Sequence, residues 1–396
     1  MQKPTSVLPL PDSQHQLRNI ITHTSLSTLL GDLQMKFVKG LAYTGTLSGL
    51  LLATLAPFLA NAQSSTTNVG QSITPQAASQ AVNEYWSAER MRTAKPVEAM
   101  LNSTPKKASV QSLSQSGPPA SAPGGSPSQT IRQNAAPINQ AAKPQPVDLK
   151  YPFPYTSGFV SYDKYTQYPH RTIGKIFFTN VSDGLDYVCS GSAVNSTNKR
   201  MIVTAGHCVS DGKSKFHKNV IFVPAYNPNN SNPNLREPYG RWSSCYLATT
   251  TGWHTKEDFG KDIGTIKACD KGTSKLHNVV GYLGYKANVS RNQTWNAFGY
   301  PQASPFDGRK LAYCKASFAT SDSSVSPARI GIGCNMTGGS SGGPWILNYA
   351  PDKSGEVNYI NGVNSWKYYA QPNAMYSPYF GDDFLNLRKF AIDQGA

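Results

Sequence analysis

The chain has 396 residues, and its 37 lysines and arginines outnumber its 22 aspartates and glutamates, which gives a formal net charge of +15. This length allows two or three domains, and this charge is compatible with a nucleic-acid partner. The basic residues are nevertheless spread along the chain, without a long basic run, a zinc-finger spacing or an RNA-binding aromatic motif. Composition therefore argues against a nucleic-acid partner and for contact with acidic surfaces such as cell envelopes.

The N-terminal part of the chain has the form of a leader for export. Residues 1–34 show no strong period and read as an over-long N-terminus. Met35 then opens a segment with two early lysines, an apolar run over residues 41–59 and the sequence Ala-Asn-Ala at residues 60–62. This pattern predicts a signal peptide over residues 35–62. The alternative, a transmembrane anchor, fits the length of the run but not its A-x-A end. We therefore expect no stable membrane anchor after cleavage.

Residues 63–150 are rich in Ser, Ala, Pro, Gln and Asn and poor in large apolar side chains. The part over residues 116–127 cannot bury enough apolar surface to offset the loss of backbone entropy, so no packed structure is predicted for it. One island, residues 81–91, predicts a short amphipathic helix that includes Tyr85 and Trp86. We interpret residues 63–150 as a pro-segment and low-complexity linker whose island docks on the following domain. The alternative is a flexible spacer with no inhibitory role.

Short apolar stretches recur from Tyr151 to the C-terminus and are separated by Gly, Pro, Asn and Asp. Many short strands with turn signals between them predict an all-β sandwich or barrel over residues 151–396. Helical spacing returns only at Phe384, Leu387 and Phe390, which predict a short C-terminal helix.

Two segments in this domain carry the chemistry. The sequence TAGHC at residues 204–208 follows a β-branched run, and TGGSSGGP spans residues 337–344. A nucleophilic serine needs a glycine-rich turn that lets backbone N–H groups approach the substrate carbonyl, an imidazole to take its proton, and a carboxylate to hold that imidazole. Alone, the glycine-rich segment could be an ordinary loop, and the histidine of TAGHC could be a structural residue. Their occurrence together, in this order, indicates catalysis.

These segments resemble the TAAHC and GDSGGP boxes of the trypsin/chymotrypsin-like serine peptidases, particularly secreted bacterial and fungal members related to the glutamyl endopeptidases. The resemblance covers most of residues 160–394. It implies two six-stranded antiparallel β-barrels with the active site in the cleft between them, a short C-terminal helix and, before them, a disordered leader.

The resemblance makes His207 the general base, because it is the histidine that stands in a strand-to-turn box beside a cysteine. Asp262, at the start of an apolar strand, is the matching carboxylate, and it would cost desolvation free energy there if it were unpaired. Asp258 and Asp270 remain alternatives. We interpret four other histidines as surface residues: His170, His217, His254 and His277.

The family pattern places the nucleophile directly before Gly-Gly-Pro, at Ser341, with Ser340 as the alternative. Gly339 and Ser341 would then supply the two backbone N–H groups of an oxyanion hole. Trypsin-like zymogens carry an aspartate at the position of Ser340, and it pairs with the new N-terminal amine. Because serine cannot neutralise a buried amine, we expect the mature N-terminus to lie on the surface.

Five residues match positions that contact substrate in the family: Asn335, Met336, Asn364, Ser365 and Trp366. Since neither Asn335 nor Met336 is acidic, a pocket for arginine or lysine is not supported. Asn364 stands near the position where glutamyl endopeptidases carry a histidine, so a preference for glutamate is not supported either. The sequence predicts no particular cleavage preference.

All six cysteines lie between Cys189 and Cys334, and an even number in an exported chain predicts disulfides. Fifteen pairings are possible. The resemblance implies a bridge between Cys189 and Cys208 around the histidine. A bridge between Cys314 and Cys334 would then hold the loop before the nucleophile and leave Cys245 with Cys269. No metal site is expected, because no C-x-x-C or H-x-x-x-H spacing occurs.

The resemblance therefore implies a secreted serine endopeptidase that is made as a precursor, needs no cofactor and acts as a monomer. Its expected partners are polypeptide substrates and its own pro-segment, with no nucleic acid. The alternative is a secreted binding or adhesion protein that kept the fold and lost catalysis.

Overall fold

The computed structural model describes residues 67–73, 75–106, 117–127 and 148–394. The predicted signal peptide over residues 35–62 and the segment before it lie outside the described residues. Within the described residues, no helix is long and apolar enough to cross a membrane.

The described residues form twenty β-strands and six α-helices. The strands are β1 Asn68–Ser72, β2 Lys95–Pro96, β3 Met100–Leu101, β4 Ala120–Ala122, β5 Thr156–Phe159, β6 Ile173–Thr179, β7 Asp186–Ala193, β8 Met201–Thr204, β9 Lys218–Pro224, β10 Trp242–Thr250, β11 Gly264–Ala268, β12 Gly284–Ala287, β13 Thr294–Gly299, β14 Ala312–Ser317, β15 Thr320–Asp322, β16 Arg329–Gly333, β17 Pro344–Leu347, β18 Tyr359–Val363, β19 Trp366–Tyr368 and β20 Gln371–Ser377. The helices are α1 Ser79–Tyr85, α2 Ala88–Thr93, α3 Pro233–Arg236, α4 Thr251–Lys256, α5 Leu276–Val280 and α6 Asp382–Asp393.

Six strands close into an antiparallel barrel in the order β6, β7, β8, β11, β10 and β9, with β9 paired back to β6. β-branched and aromatic residues dominate these strands and suit a pleated, buried surface. The barrel interior includes Ile176, Ile202, Phe222, Leu247 and Ile266, each at most 1% exposed. The loop after β8 leaves this barrel at the cleft and carries His207.

The second half of the domain consists of two sheets, in the orders β4-β12-β18-β17-β13-β14-β5 and β15-β16-β20-β19-β3. The chain passes from one sheet to the other between β18 and β19. At this junction the backbone of Asn364 bonds to Gly342 and Gly343 instead of continuing a ladder. The all-β prediction and the six-stranded first barrel are confirmed. The strands of the second half are divided between two sheets, and the turn that carries Ser341 connects β16 of one sheet to β17 of the other.

The predicted C-terminal helix is confirmed as α6, which buries Phe384, Leu387 and Ala391. Asp382 lies in its first turn, where a negative charge complements the helix dipole. Arg388 donates from Nε and Nη2 to the carbonyl oxygen of Asn195, at 3.0 and 2.8 Å, so the helix is held against the first barrel.

Residues before Tyr151 add strands to both halves of the domain. β1 pairs with β10 over five residues and β2 with β7, whereas β3 pairs with β19 and β4 with β12. The expectation of no packed structure over residues 117–127 is therefore wrong for β4, in which Ala122 is 2% exposed. Pairing with a sheet edge uses main-chain groups, so it does not require large apolar side chains.

The island over residues 81–91 forms parts of two short helices rather than one. The first ends at Tyr85, and Ser87 caps the second, because its hydroxyl accepts the backbone N–H of Arg90 at 3.2 Å. Between them Trp86 is fully buried, its Nε1 donates to the carbonyl oxygen of Asn219 at 2.6 Å, and its ring packs against Phe177. The island thus anchors the N-terminal residues on the first barrel.

The interpretation of four histidines as surface residues is wrong. His170, His217, His254 and His277 are between 1% and 5% exposed. All four bond through a ring nitrogen to a carbonyl or hydroxyl oxygen; for example, His277 Nε2 lies 3.0 Å from the carbonyl oxygen of Met201. A neutral imidazole satisfied in this way can be buried, and the sequence around it gives no signal of that.

Stability should fall in mild acid because burial lowers the pKa of His217 and His277 from 6.5 to about 4. Between these pH values the unfolded chain binds more protons than the folded one. The free energy of unfolding therefore decreases as pH falls from about 6.5 to about 4, by up to about 3 kcal/mol per histidine. Urea unfolding across this window should show a shallower decrease for His277→Gln than for the unaltered protein. An equal decrease in both would contradict this assignment.

Candidate active site

His207 and Asp262 form a two-point contact at the edge of the first barrel. His207 Nδ1 lies 2.8 Å from Asp262 Oδ2, and the backbone N–H of His207 donates to Oδ1, also at 2.8 Å. The hydroxyl of Ser365 donates to Oδ2 as well. Asp262 is fully buried, and these three donors compensate its loss of hydration. A proton on Nδ1 leaves the lone pair of Nε2 available as a base.

The two competing aspartates lie elsewhere. Asp258 accepts the backbone N–H of Gly260 and lies 3.5 Å from Nη2 of Arg329. Asp270 pairs with Arg200, whose Nε donates to it at 2.6 Å. Of the three candidate carboxylates, Asp262 is the one in hydrogen-bond contact with His207.

Ser341 lies in a tight turn between β16 and β17. Gly342 in this turn has φ +80°, and a Cβ atom there would lie 1.9 Å from the hydroxyl oxygen of Thr204, so only glycine fits. The carbonyl oxygen of Ser341 accepts the N–H of Ser190 on β7 at 2.7 Å and lies 3.6 Å from Sγ of Cys208. The turn therefore packs against the loop that carries His207.

Nε2 of His207 is buried and makes no hydrogen bond with any residue that the structure describes. The Ser341 hydroxyl is therefore not bonded to it in this state of the chain. Contacts of this kind are often long until a substrate is bound.

Asn364, predicted to contact substrate, instead holds the turn. Its Nδ2 donates to the carbonyl oxygens of Phe298 and Ser340 at 2.8 and 3.1 Å, and its Oδ1 accepts from Nε1 of Trp345 at 2.8 Å. The residue is fully buried, so its amide has no group left for a substrate. The hydroxyl of Ser340, the alternative nucleophile, is bonded within its own loop, because it donates to the carbonyl oxygen of Thr337 at 2.7 Å.

A pocket of about 150 Å³ adjoins Ser341. Its lining includes the predicted residues Ser365 and Trp366 but neither Asn335 nor Met336, and Met336 is fully buried. From the second half of the domain it is lined by Thr337, Gly338, Ser340, Ser341, Ser365, Trp366, Lys367, Pro372 and Met375.

Lys367 is a feature of this pocket that the sequence did not single out. Its Nζ donates to the carbonyl oxygens of Cys334 and Pro372 at 3.1 and 2.5 Å, and the residue is 6% exposed. Burial lowers the pKa of Lys367 to about 7. A lysine in a strand normally reaches water, so only the fold reveals that this one is enclosed.

Three disulfides join Cys189 to Cys208, Cys245 to Cys269 and Cys314 to Cys334, the pairs that the resemblance implied. The possible ligand atoms of Cys189, His207 and Cys208, two sulfurs and a ring nitrogen, lie within 4.8 Å of one another, a spacing that would suit a metal ion. Both sulfurs, however, belong to one disulfide and are not thiolates, and Nδ1 of His207 faces Asp262. This cluster does not fit a metal site.

Comparisons with known proteins agree with the fold. No protein-family model matches the chain. The crystal structure of the protease Anisep from Arthrobacter nicotinovorans is 39% identical and has a TM-score of 0.50, covering 56% of this chain and 95% of that one. The thermostable serine protease AL20 from an extremophilic microorganism is 34% identical with a TM-score of 0.51, covering 59% of this chain and 100% of that one.

A curated relative, the extracellular metalloprotease of Bacillus subtilis strain 168, is 25% identical over 194 residues. The match covers 47% of this chain and 54% of that protein, so the chain spans about half the length of this relative. The name of this relative refers to a metal. In the present chain, the cluster of Cys189, His207 and Cys208 does not suit a metal ion.

The chain has a closed β-barrel, a second half made of two β-sheets, and a serine in a tight turn beside a buried histidine–aspartate pair. This combination is that of the serine protease class. The chain belongs to the trypsin/chymotrypsin-like family of serine proteases.

Proposed function

We propose that this protein is an endopeptidase in which Ser341 is the nucleophile, His207 the general base and Asp262 the residue that orients the base. The two-point contact between Asp262 and His207, beside the glycine-rich turn of Ser341, supports this proposal most strongly. It fixes the imidazole in the tautomer that a base requires.

In this mechanism Ser341 Oγ bonds to the carbonyl carbon of the substrate while its proton passes to Nε2 of His207. His207 then gives that proton to the peptide nitrogen as the C–N bond breaks, and an acyl-enzyme remains. Water repeats the two transfers on the ester and restores the hydroxyl. The backbone N–H groups of Gly339 and Ser341 would stabilise the negative oxygen in both steps, each being worth roughly 10²–10³ in turnover.

We also propose that the enzyme is exported as a precursor and acts as a monomer on polypeptides. The A-x-A end of the leader, the three disulfides and the N-terminal strands packed over the domain support this part of the proposal. Disulfides persist in oxidising compartments.

A fluorophosphonate probe tests the proposal, because it labels only an activated serine. The purified chain would be treated with the probe before and after limited proteolysis, and the labelled peptide mapped by mass spectrometry. Labelling at Ser341 after proteolysis is expected. A folded, processed protein that takes up no label would instead favour the binding or adhesion protein.

The Cys189–Cys208 bridge should contribute to both stability and turnover. Replacing both residues by serine is expected to lower the free energy of unfolding by about 3 kcal/mol, since the bridge spans 19 residues. It should also lower turnover, because the bridge ties β7 to the loop that carries His207. The matched control, Cys245→Ser with Cys269→Ser, should lose similar stability with a smaller loss of turnover. Unfolding midpoints and peptide hydrolysis would be measured for both; free thiols at Cys189 and Cys208 in exported protein would refute the bridge.

A further inference from the structure

Residues 94–101, called the cleft segment below, lie across the pocket beside Ser341. Glu98, Ala99 and Met100 form part of the pocket lining. The backbone N–H of Lys367 donates to the carbonyl oxygen of Ala99 at 2.9 Å. The segment thus lies along β19, whose first residue, Trp366, lines the pocket.

The carbonyl group of Val97 is bonded to one of the two N–H groups proposed for the oxyanion hole. The backbone N–H of Gly339, one of the two donors proposed for the oxyanion hole, donates to this oxygen at 3.1 Å. Gly339 has φ +93°, a backbone conformation that favours glycine. A substrate carbonyl and Val97 therefore compete for the same donor.

The direction of the cleft segment is set by two parallel pairings. Before Val97, β2 runs parallel to β7, and the N–H of Val97 donates to the carbonyl oxygen of Val188 at 3.3 Å. After Val97, β3 runs parallel to β19. The chain therefore enters beside β7, which the Cys189–Cys208 bridge joins to the His207 loop, and leaves along β19.

The peptide nitrogen of Glu98 is the leaving nitrogen if the bond after Val97 were cut. It lies on the part of the segment that leads into β3, which runs parallel to β19. Nε2 of His207 has no hydrogen-bond partner among the described residues, so it does not contact this nitrogen. Cleavage needs a proton delivered to the leaving nitrogen. The segment is placed to block the site without being cut there.

Contacts upstream hold the segment in this position. Nε2 of Gln302 donates to the carbonyl oxygen of Ala94 at 2.6 Å. Arg90 and Tyr85 both bond to Asp186 at the start of β7, at 2.7 and 2.9 Å. Together with the buried ring of Trp86, these contacts raise the local concentration of the segment at the cleft.

We propose that the cleft segment is a built-in peptide ligand of the active site that bonds to the oxyanion hole through Val97, runs parallel to β19, and resists cleavage because the peptide nitrogen of Glu98 is not in contact with His207. This inference rests on the proposed function of Ser341 and His207. It assigns the inhibitory contact to residues 94–101 and leaves to the Tyr85–Trp86 island the role of an anchor.

Two substitutions should displace the segment in the full, uncut chain. A Cβ atom on Gly338 would lie 2.5 Å from Cγ of Glu98 and 2.6 Å from the carbonyl oxygen of Val97, so Gly338→Ala collides with the segment itself. Val97→Pro removes the N–H that donates to Val188. Each variant serves as a check on the other if one fails to fold. Gln71→Pro, at an exposed position of β1 away from the cleft, is the matched control.

The rate of fluorophosphonate labelling would be measured on each uncut chain, with intact mass to verify that no bond has been cut. Both variants should be labelled at least about tenfold faster than the unaltered chain, because the fraction of open sites rises. The Gln71→Pro variant should match the unaltered chain, and a Ser341→Ala chain should take up no label.

Equal labelling of the unaltered chain and both displaced variants would overturn the inference while leaving the proposed function intact. A cut between Val97 and Glu98 made by the unaltered enzyme would overturn it as well, since the segment would then be a substrate. If chains freed from the segment by limited proteolysis also take up no label, the proposed function itself fails and the inference fails with it.

Discussion

Ser341→Ala is expected to lower kcat of the processed enzyme by about 10⁶, because members of a catalytic triad act as a unit and the reaction cannot start without the nucleophile. The free energy of unfolding should change little, since Ser341 stands in the glycine-rich turn and its backbone carbonyl, which alanine retains, accepts the N–H of Ser190. Hydrolysis of a peptide substrate and urea unfolding would be measured on the same preparation.

Ser340→Ala is the matched control for this experiment. Its hydroxyl bonds to the carbonyl oxygen of Thr337, away from the proposed reaction. A modest loss of stability and retained hydrolysis are therefore expected. If Ser340→Ala abolishes turnover and Ser341→Ala does not, the nucleophile is wrongly placed by one residue.

The second large effect is expected for Asp262→Asn, which should lower kcat by roughly 10⁴. An amide in place of the carboxylate would favour the tautomer with its proton on Nε2, and that nitrogen could no longer accept the proton of Ser341. The backbone N–H of His207 and the hydroxyl of Ser365 also bond to this carboxylate, so a loss of stability should accompany the loss of turnover.

Asp258→Asn and Asp270→Asn are the controls, because these residues pair with Arg329 and Arg200 instead. Steady-state kinetics of the three variants would distinguish the candidates. A loss near 10⁴ at Asp258 with a small loss at Asp262 would contradict the assignment.

The fold class and the terminal helix could be predicted because their signals are local. Short β-branched runs between turn residues indicate strands, and the spacing of Phe384 and Leu387 indicates a helix face. The glycine-rich turn could also be predicted, because its glycines stand together in the sequence, although the close approach of Thr204 that requires Gly342 is seen only in the fold. Asp262 is favoured over Asp258 and Asp270 because it heads an apolar strand and matches the family pattern, whereas its contact with His207 is seen only in the fold.

Other features depend on contacts that no local pattern encodes. The N-terminal strands pair through main-chain groups, so their polar sequence gives little sign of them. Asn364 and Lys367 are both enclosed by carbonyl groups from distant parts of the chain. The buried histidines were missed for the same reason.

The N-terminal strands touch both halves of the domain, β1 and β2 on the first barrel and β3 and β4 on the second half. Hydrolysis of one peptide bond outside these strands breaks none of their main-chain hydrogen bonds. For the precursor proposed above, the cut and the onset of activity should therefore be separate events in time. The delay between them is expected to follow the dissociation rate of the nicked piece, so activation behaves as a slow release after a fast cut.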